Sequence, residues 1–284
     1  MPLVTLKEVL VPAKENGYAI GAFTFWSFDS AHAIVNAAEE MGMSVILQCG
    51  PGEFPYEDIK NLVTIAKLVA NKTPLSIVLH LDHGNSCEMA LCAINEGFTS
   101  VMIDSSNASF QENIIITKKV VAMAKDSGVS VEAELGRLSG AEASQNVSDE
   151  ESNQTDPDEA KIFVEETGID ALAVAIGTVH GFYKFKPNIN ITRLKCIAEK
   201  VSIPLVLHGG SGTPIEKIVE AINCGVAKIN VFSEFVSAYG KSFIKSLNKP
   251  DFNYSNSISD LFTAARTAGQ DLIASKINLF KCKK

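Results

Sequence analysis

Three histidines that are far apart in the sequence each stand at or just past the end of a short apolar run: His83, His180 and His208. Such runs are typical of buried parallel strands, so each imidazole is predicted to lie at the carboxyl end of a strand. The carboxyl ends of the parallel strands of one barrel meet on the same rim. Three neutral imidazoles with open positions beside them are the ligand set of a catalytic zinc ion. We therefore expect these histidines to share one metal ion.

Carboxylates collect at the same predicted rim. Asp82 adjoins His83, Asp104 follows the fourth predicted strand, and Glu132 and Glu134 alternate with apolar residues in the fifth. Two interpretations stay open for the glutamate pair. The first is an ion-paired layer inside a barrel, since buried charges are usually paired. The second is a set of ligands or proton carriers beside a divalent cation.

The positions of two further histidines and one lysine predict structural roles for them. His32 falls on a predicted helix and His80 inside the third predicted strand, so neither is expected to bind the metal. Lys228 is the one lysine within a predicted strand, and buried lysines are usually ion-paired. A Schiff-base mechanism on a lysine is therefore disfavoured.

Two segments near the carboxyl end predict an anion site. Residues 209–212 (GGSG) follow the seventh predicted strand, and residues 230–233 (NVFS) follow the eighth where a helix begins. Glycines let backbone N–H groups approach a phosphate, and the dipole of a helix adds to the attraction. Barrels commonly hold phosphate in the loops after strands seven and eight.

The elements that must position these residues alternate strand and helix eight times. Strict alternation gives parallel strands with right-handed crossovers, and eight units favour a closed (β/α)₈ TIM barrel. An open doubly wound sheet is the alternative, but no G-x-G-x-x-G follows the first strand. The predicted strands are residues 19–25, 44–50, 75–84, 100–105, 130–135, 171–176, 204–207 and 227–232. The predicted helices are residues 30–41, 57–71, 88–95, 113–125, 158–166, 191–200, 215–223 and 234–247, with an extra helix at 258–279.

Composition narrows the class of protein. The chain has 284 residues and a formal net charge of −8, which argues against a nucleic-acid or membrane surface. No apolar run approaches the roughly 20 residues of a membrane helix, and the amino terminus does not read as a signal peptide. The six cysteines show no disulfide or zinc-ribbon spacing, so we expect reduced, mostly buried thiols. A cytoplasmic, single-domain protein spanning residues 1–284 is predicted.

One long polar segment interrupts the alternation. Residues 137–157 are rich in Ser, Gly, Asn, Asp and Glu. A loop of about 20 residues in a compact domain is usually a lid or a binding loop, although a tolerated surface insertion is the alternative. Because it follows a strand, it opens onto the catalytic face of the predicted barrel. We expect a mobile active-site loop.

Six motifs together carry a family resemblance that spans nearly the whole chain. They are residues 82–84 (DHG), 131–136 (VEAELG), 155–157 (TDP), 173–181 (AVAIGTVHG), 204–212 (PLVLHGGSG) and 228–231 (KINV). On these motifs the sequence resembles the class II, zinc-dependent ketose-bisphosphate aldolases, the fructose- and tagatose-1,6-bisphosphate aldolase group. The resemblance implies a TIM barrel, a catalytic Zn²⁺, a sugar-phosphate substrate and a homo-oligomer, either dimer or tetramer.

The resemblance also implies roles for matching residues. His83, His180 and His208 would bind the catalytic zinc, while Asp104 and Glu134 match a second or alternative position for a divalent or monovalent cation. Asp82 resembles the acid that handles the proton of the C4 hydroxyl, and Glu142, in the loop, the base that moves the proton of the triose. The residues matching the segments that hold dihydroxyacetone phosphate are Gly181, Gly209, Gly210, Ser211, Asn230, Val231, Phe232 and Ser233.

The implied reaction is reversible aldol cleavage of a ketose 1,6-bisphosphate to dihydroxyacetone phosphate and glyceraldehyde 3-phosphate. Three positions depart from the family pattern: Thr24 replaces a common Asn, position 232 carries the bulky Phe232, and residues 257–259 (SIS) replace an Asp-Pro-Arg segment. A different aldehyde, which need not be phosphorylated, is therefore an alternative acceptor. A non-catalytic sugar-phosphate-binding barrel is an alternative of another class, against which the intact Asp82 argues.

Overall fold

Eight parallel strands close into a barrel in the computed structural model, which describes residues 3–136, 139–140, 154–183, 187–249, 252 and 258–282. They are β1 (Ile20–Thr24), β2 (Val45–Cys49), β3 (Ile77–Gly84), β4 (Ser100–Ile103), β5 (Ser130–Leu135), β7 (Ala171–Val174), β9 (Leu205–Leu207) and β10 (Val226–Val231), with β6 (Ser139–Gly140) and β8 (Val179–His180) outside the barrel. The order around the barrel is β1-β10-β9-β7-β5-β4-β3-β2. The predicted TIM barrel is confirmed, and the open sheet is wrong.

Helices separate the strands as predicted. They are α1 (Leu6–Asn16), α2 (Phe28–Met41), α3 (Ile59–Ala70), α4 (Cys87–Glu96), α5 (Phe110–Lys125), α6 (Pro157–Thr167), α7 (Ile191–Lys200), α8 (Ile215–Asn223), α9 (Ser233–Leu247) and α10 (Ile258–Phe280). The extra carboxyl-terminal helix is confirmed as α10, which packs on α2 and α9. Among the described helices, none has both the length and the apolar character needed to cross a bilayer.

The first helix, α1, was not predicted. Thr5 and Glu8 form a capping box at its start, in which each side chain accepts a hydrogen bond from the backbone N–H of the other. Its apolar face packs against the inward-facing residues of the barrel strands, among them Ile46 and Val78. This helix therefore closes one end of the barrel, and the Thr-x-x-Glu spacing was the signal that could have predicted it.

The strands are buried on both faces, as parallel strands covered by helices must be. In β5, Val131 and Ala133 pack in the large apolar core that the helices share. The residue between them, Glu132, lies in register with Met102 of β4, whose side chain belongs to the inner layer of the barrel. The barrel interior is consequently apolar near α1 and becomes polar toward the carboxyl ends of the strands.

Cysteine burial differs from the prediction. All six cysteines lie among the described residues as free thiols, as expected. Only Cys49 is fully buried, whereas Cys92 and Cys196 are exposed. Both exposed thiols lie on helices, on the side that faces away from the barrel.

Candidate metal centre and active site

A β-bulge at the end of β3 aims two consecutive side chains at the same region. Leu81 pairs with Val101 of β4 and Gly84 pairs with Ile103, so β3 contains one residue more than β4 over this interval. Consecutive residues of a regular strand point to opposite faces, and a bulge removes this constraint. His83 has a φ of +47°, an uncommon backbone conformation for a residue other than glycine. The bulge therefore lets Asp82 and His83 serve one site.

The three predicted metal ligands converge. One nitrogen from each of His83, His180 and His208 lies within 4.8 Å of the other two. The ring centroids of His83 and His208 are 4.7 Å apart, and those of His83 and His180 are 4.9 Å apart. These residues come from β3, β8 and the turn after β9. The convergence that the sequence analysis predicted is present in the structure.

Hydrogen bonds to carboxylates fix which nitrogens face one another. His83 Nδ1 lies 3.0 Å from Asp104 Oδ2, and His208 Nε2 lies 3.0 Å from Glu132 Oε1. Since a carboxylate accepts, each of these nitrogens carries the proton of its ring. The remaining nitrogens, His83 Nε2 and His208 Nδ1, are 3.0 Å apart. In two neutral rings, both of these atoms would offer a lone pair to the space between them.

This donor set fits a divalent cation. Two lone pairs that face each other at hydrogen-bond distance repel unless a proton or a metal ion lies near both. A metal-binding histidine almost always donates its other N–H to a carboxylate or a carbonyl, as His83 and His208 do here. Imidazole ligands with nearby carboxylates suit zinc. The residues present therefore match the zinc ion that the sequence predicts.

A second group of potential ligands shares His83. Ligand atoms of His83, Asp104 and Glu134 also lie within 4.8 Å of one another. Glu134 is buried, and its Oε2 has no hydrogen-bond partner among the described residues. A buried carboxylate oxygen without a partner is costly, and a cation would satisfy it. Of the two glutamates of β5, Glu132 is thus the ion-paired one and Glu134 the candidate ligand.

The carboxylates dominate the electrostatics of the three histidines. Burial opposes a charge on His83, but Asp82, Asp104 and Glu134 outweigh it and raise the pKa of His83 to about 10. Burial, together with the positive charge on His83, lowers the pKa of His180 to about 4. The same two causes hold the pKa of His208 well below its usual range. At neutral pH the metal-free site thus carries one positive charge, on His83, where a zinc ion would bring two.

The pKa values of the two acidic neighbours, Glu134 and Asp104, shift in opposite directions. Burial and the charge of Asp104 raise the pKa of Glu134 well above its usual range. Burial also opposes the charge on Asp104, but hydrogen bonds from His83 and Ser106 outweigh it and lower the pKa of Asp104. The rim thus gathers more negative charge than its own side chains neutralise, which is the electrostatic setting of a cation site.

Two amides hold the Asp82 carboxylate beside the histidines. Gln48 Nε2 donates to Asp82 Oδ2 at 2.8 Å, and Asn230 Nδ2 donates to Asp82 Oδ1 at 3.1 Å. Gln48 Nε2 also lies 3.2 Å from Thr24 Oγ1. Gln48 was not among the predicted site residues, although a glutamine inside the apolar run of β2 was a signal. Both oxygens of Asp82 therefore have fixed partners from neighbouring parts of the barrel.

The glycine-rich turn after His208 packs tightly. A Cβ atom on Gly209 would lie 2.3 Å from the carbonyl oxygen of Val179, and Gly209 has a φ of +69°. Thr213 Oγ1 donates to Gly209 O at 2.9 Å and lies 2.8 Å from the Tyr183 hydroxyl. Tyr183 is a second residue that sequence analysis did not single out. The turn is thus fixed against the segment that carries His180.

The start of α9 lies beside this turn. Ser211 Oγ accepts a hydrogen bond from the backbone N–H of Glu234 at 3.3 Å. Phe232 occupies the N-cap position of α9 and provides no side-chain hydrogen bond to it, and Ser233 is the first helical residue. The side chain of Val231 lies in the apolar core, so only its backbone can face a ligand. The two predicted anion-binding segments are therefore adjacent, and α9 begins within the second of them.

The remaining predicted residues fall in three places. Gly181 follows His180 with a φ of +95° and open space around it. His80 and His32 belong to neither of the ligand groups found among the described residues. Glu142 and most of the 137–157 loop lie outside the described residues, as does Ser257. Lys228, the only lysine in the described strands, is ion-paired to Glu132, which opposes a Schiff-base role.

Comparisons with known proteins identify the family of this chain. A model of the family described as "Fructose-bisphosphate aldolase class-II" matches residues 4–284. A fructose-bisphosphate aldolase of Staphylococcus aureus (strain Mu50) is 44% identical over 253 residues, 87% of each chain. One from Giardia intestinalis is 40% identical over 99% of this chain and 93% of its own. The crystal structure of the YdjI aldolase from Escherichia coli K12 superposes with a TM-score of 0.87 at 34% identity, covering 98% of this chain and 97% of that one.

Proposed function

Because the chain belongs to the class II fructose-bisphosphate aldolase family, we propose that it cleaves a ketose 1,6-bisphosphate reversibly to dihydroxyacetone phosphate and an aldehyde at a bound zinc ion. The observation that carries this proposal is the convergence of His83, His180 and His208 within 4.8 Å of one another. The held carboxylate of Asp82 stands beside them. The expected aldehyde is glyceraldehyde 3-phosphate.

His83, His180 and His208 would hold the zinc ion, through His83 Nε2 and His208 Nδ1 for two of them. Asp104 and Glu134 would supply carboxylate oxygens to a second or alternative position for a divalent or monovalent cation. When bound, zinc would supply a Lewis acid for the negative charge that develops on the substrate as the C3–C4 bond breaks, a contribution of several kcal/mol. The carboxylates of Asp104 and Glu132 orient the imidazoles for this task.

Asp82 would accept the proton of the C4 hydroxyl during cleavage and return it during condensation. Gln48 and Asn230 hold its two oxygens, so the carboxylate meets the substrate in a fixed orientation. A positioned general base of this kind typically contributes about 10²–10⁴ in rate. Glu142, outside the described residues, would move the proton of the triose.

Gly181, Gly209, Gly210 and Ser211, with residues 230–233, would hold dihydroxyacetone phosphate. The Gly209 turn lies against the start of α9, where backbone N–H groups and the helix dipole attract a phosphate. The phosphate lies away from the bonds that change, so these contacts supply orientation rather than chemistry. Binding energy is thereby used to align the reacting carbons with Asp82.

A condensation assay tests the proposal. The protein is stripped of metal with a chelator, reloaded with zinc, and incubated with dihydroxyacetone phosphate and a panel of aldehydes. We expect activity only after reloading, its loss in His208→Ala, and its retention in His32→Ala, a histidine variant outside the site. Full activity in the stripped protein would reject the metal mechanism. Zinc binding without turnover on any aldehyde would favour the non-catalytic alternative.

The same panel identifies the acceptor. With glyceraldehyde 3-phosphate, the configuration of the product at C4 separates a fructose-type from a tagatose-type enzyme. Preference for an unphosphorylated aldehyde would support the alternative suggested by Thr24, Phe232 and residues 257–259. In either case dihydroxyacetone phosphate stays the donor.

We further propose that residues 1–284 form one domain, that the protein assembles as a dimer or tetramer, and that it acts in the cytoplasm on small sugar phosphates rather than on nucleic acid or membranes. Exposed apolar side chains on α9 and α10, including Ile244 and Phe262, support self-association. Sedimentation equilibrium measures the state of assembly, and a monomer at micromolar concentration would contradict the oligomer.

A further inference from the structure

A fully buried chain of polar side chains runs inward from His208. Glu132 accepts from His208 Nε2 through Oε1 at 3.0 Å and from Lys228 Nζ through Oε2 at 2.7 Å. Lys228 Nζ also lies 2.9 Å from His80 Nε2, and His80 Nδ1 lies 2.8 Å from Ser100 Oγ. Each of these five residues is at most 1% exposed. Water therefore does not compete for the hydrogen bonds among these five side chains.

The proton positions in this chain follow from Lys228. A lysine ammonium only donates, so His80 Nε2 and Glu132 Oε2 must both accept. His80 then carries its proton on Nδ1 and donates it to Ser100. Glu132 Oε1 stays an acceptor, so His208 carries its proton on Nε2. The free lone pair of His208 is thereby assigned to Nδ1.

We propose that Glu132 and Lys228 are positioning residues that hold His208 in the one tautomer able to bind the metal. The inference rests on the metal centre of the proposed function and deepens it. Glu132 supplies the contact to His208. Lys228 donates to Oε2 of Glu132, which leaves Oε1 to accept from His208. Neither residue needs to touch substrate or metal.

An ion pair that served only to pack the barrel interior would not need to determine which nitrogen of His208 carries the proton. Replacing a buried pair by apolar residues is often neutral for stability, so burial alone does not explain the pair. Here one oxygen of Glu132 is committed to a residue of the metal group, at a distance suited to a charge-assisted hydrogen bond. The geometry thus points to a role at the metal rather than in stability alone.

The variant Glu132→Gln separates the two roles. Its amide has one accepting oxygen, and the Lys228 ammonium must take it. The amide NH₂ then faces His208 Nε2 and can only donate, which moves the ring proton to Nδ1 and blocks metal binding. We expect the zinc affinity to fall about 10- to 100-fold, the range found when partners of metal ligands are replaced.

The double variant Glu132→Gln/Lys228→Met should recover the affinity. Without the ammonium, the amide is free to turn its oxygen toward His208 Nε2. Its NH₂ can then donate to His80 Nε2, which lies 3.7 Å from Glu132 Oε2 in the native protein. Recovery on removing a second buried group is a result that a merely structural role would not give.

Zinc affinity is measured in the full-length protein by competition with a chromogenic chelator, and the ligand set by the visible absorption of the Co²⁺-loaded forms. Asp170→Asn is the matched control, because Asp170 Oδ2 accepts from the Val131 backbone N–H in the same strand as Glu132. Thermal unfolding of the metal-free proteins checks that each variant folds. We expect native affinity and spectrum in the control, weakened affinity and an altered spectrum in the single variant, and recovery of both in the double variant.

Two results would overturn the inference: unchanged affinity in Glu132→Gln, or a double variant that binds no better than the single one. A different result would contradict the proposed metal centre itself. In that case native protein and His208→Ala would bind zinc and Co²⁺ equally well, or neither would bind them.

Discussion

His83 Nε2 and His208 Nδ1 lie 3.0 Å apart, each in a ring whose other nitrogen faces a carboxylate. In the metal-free protein a proton on His83 satisfies both atoms, since its pKa is raised to about 10. A metal ion and this proton therefore compete for the same space. The competition makes the chemistry of the site depend on pH in a defined direction.

The first prediction is that zinc affinity rises with pH above neutrality. Binding must displace the His83 proton, whereas His180 and His208, with lowered pKa values, carry none at neutral pH. The logarithm of the affinity should rise by about one per pH unit between about pH 7.5 and 9 and level off near pH 10. Chelator-buffered zinc titrations measure this slope. Three histidines of ordinary pKa would give a flat profile above about pH 7.5.

The second prediction concerns Asp82. Asp82→Asn keeps the size of the side chain and removes the proton acceptor, so kcat should fall by about 10²–10⁴. The zinc content should stay native, because Asp82 is not one of the three nitrogen ligands. Steady-state kinetics with metal analysis separates the two effects. A kcat within a few-fold of native would assign the proton transfer to another group.

The third prediction concerns Gln48, which donates to Asp82 Oδ2 at 2.8 Å. Gln48→Leu removes a hydrogen bond to a charged group, worth about 1.5 kcal/mol, so kcat should fall by about tenfold. The fall should appear in kcat rather than KM, since Gln48 orients the proton acceptor. Thr24→Val is the matched control, because it removes only the contact to Gln48. A kcat of Gln48→Leu within a few-fold of native would mean that Asp82 does not depend on the hydrogen bond from Gln48.

The fourth prediction concerns the turn after His208. A Cβ on Gly209 would lie 2.3 Å from Val179 O, so Gly209→Ala forces a backbone shift that costs about 1–3 kcal/mol. The melting temperature should fall by several degrees, and KM for dihydroxyacetone phosphate should rise. Gly240→Ala, in the open middle of α9, is the control and should stabilise by about 0.5–1 kcal/mol. Native KM in Gly209→Ala would separate this turn from substrate binding.

The barrel was predictable because its signals are local. Eight apolar runs alternate with amphipathic segments. The crossover from one parallel strand through a helix to the next is almost always right-handed. The helix α1 was not predicted although its capping box is a local signal, and its apolar face finds its partners only at the end of the closed barrel. The short strands β6 and β8 were also not predicted, since two-residue runs carry no periodicity.

Residue type and position along the chain already single out the candidates for the chemistry, since histidine, aspartate and glutamate at strand ends can be recognised one strand at a time. Tertiary structure alone decided how they pair. The contacts between His83 and His208, His208 and Glu132, and Glu132 and Lys228 join residues 125, 76 and 96 positions apart. Such hydrogen bonds exist only once the barrel closes and excludes water, and they, rather than residue type, decide which nitrogen of His208 is free to bind a metal.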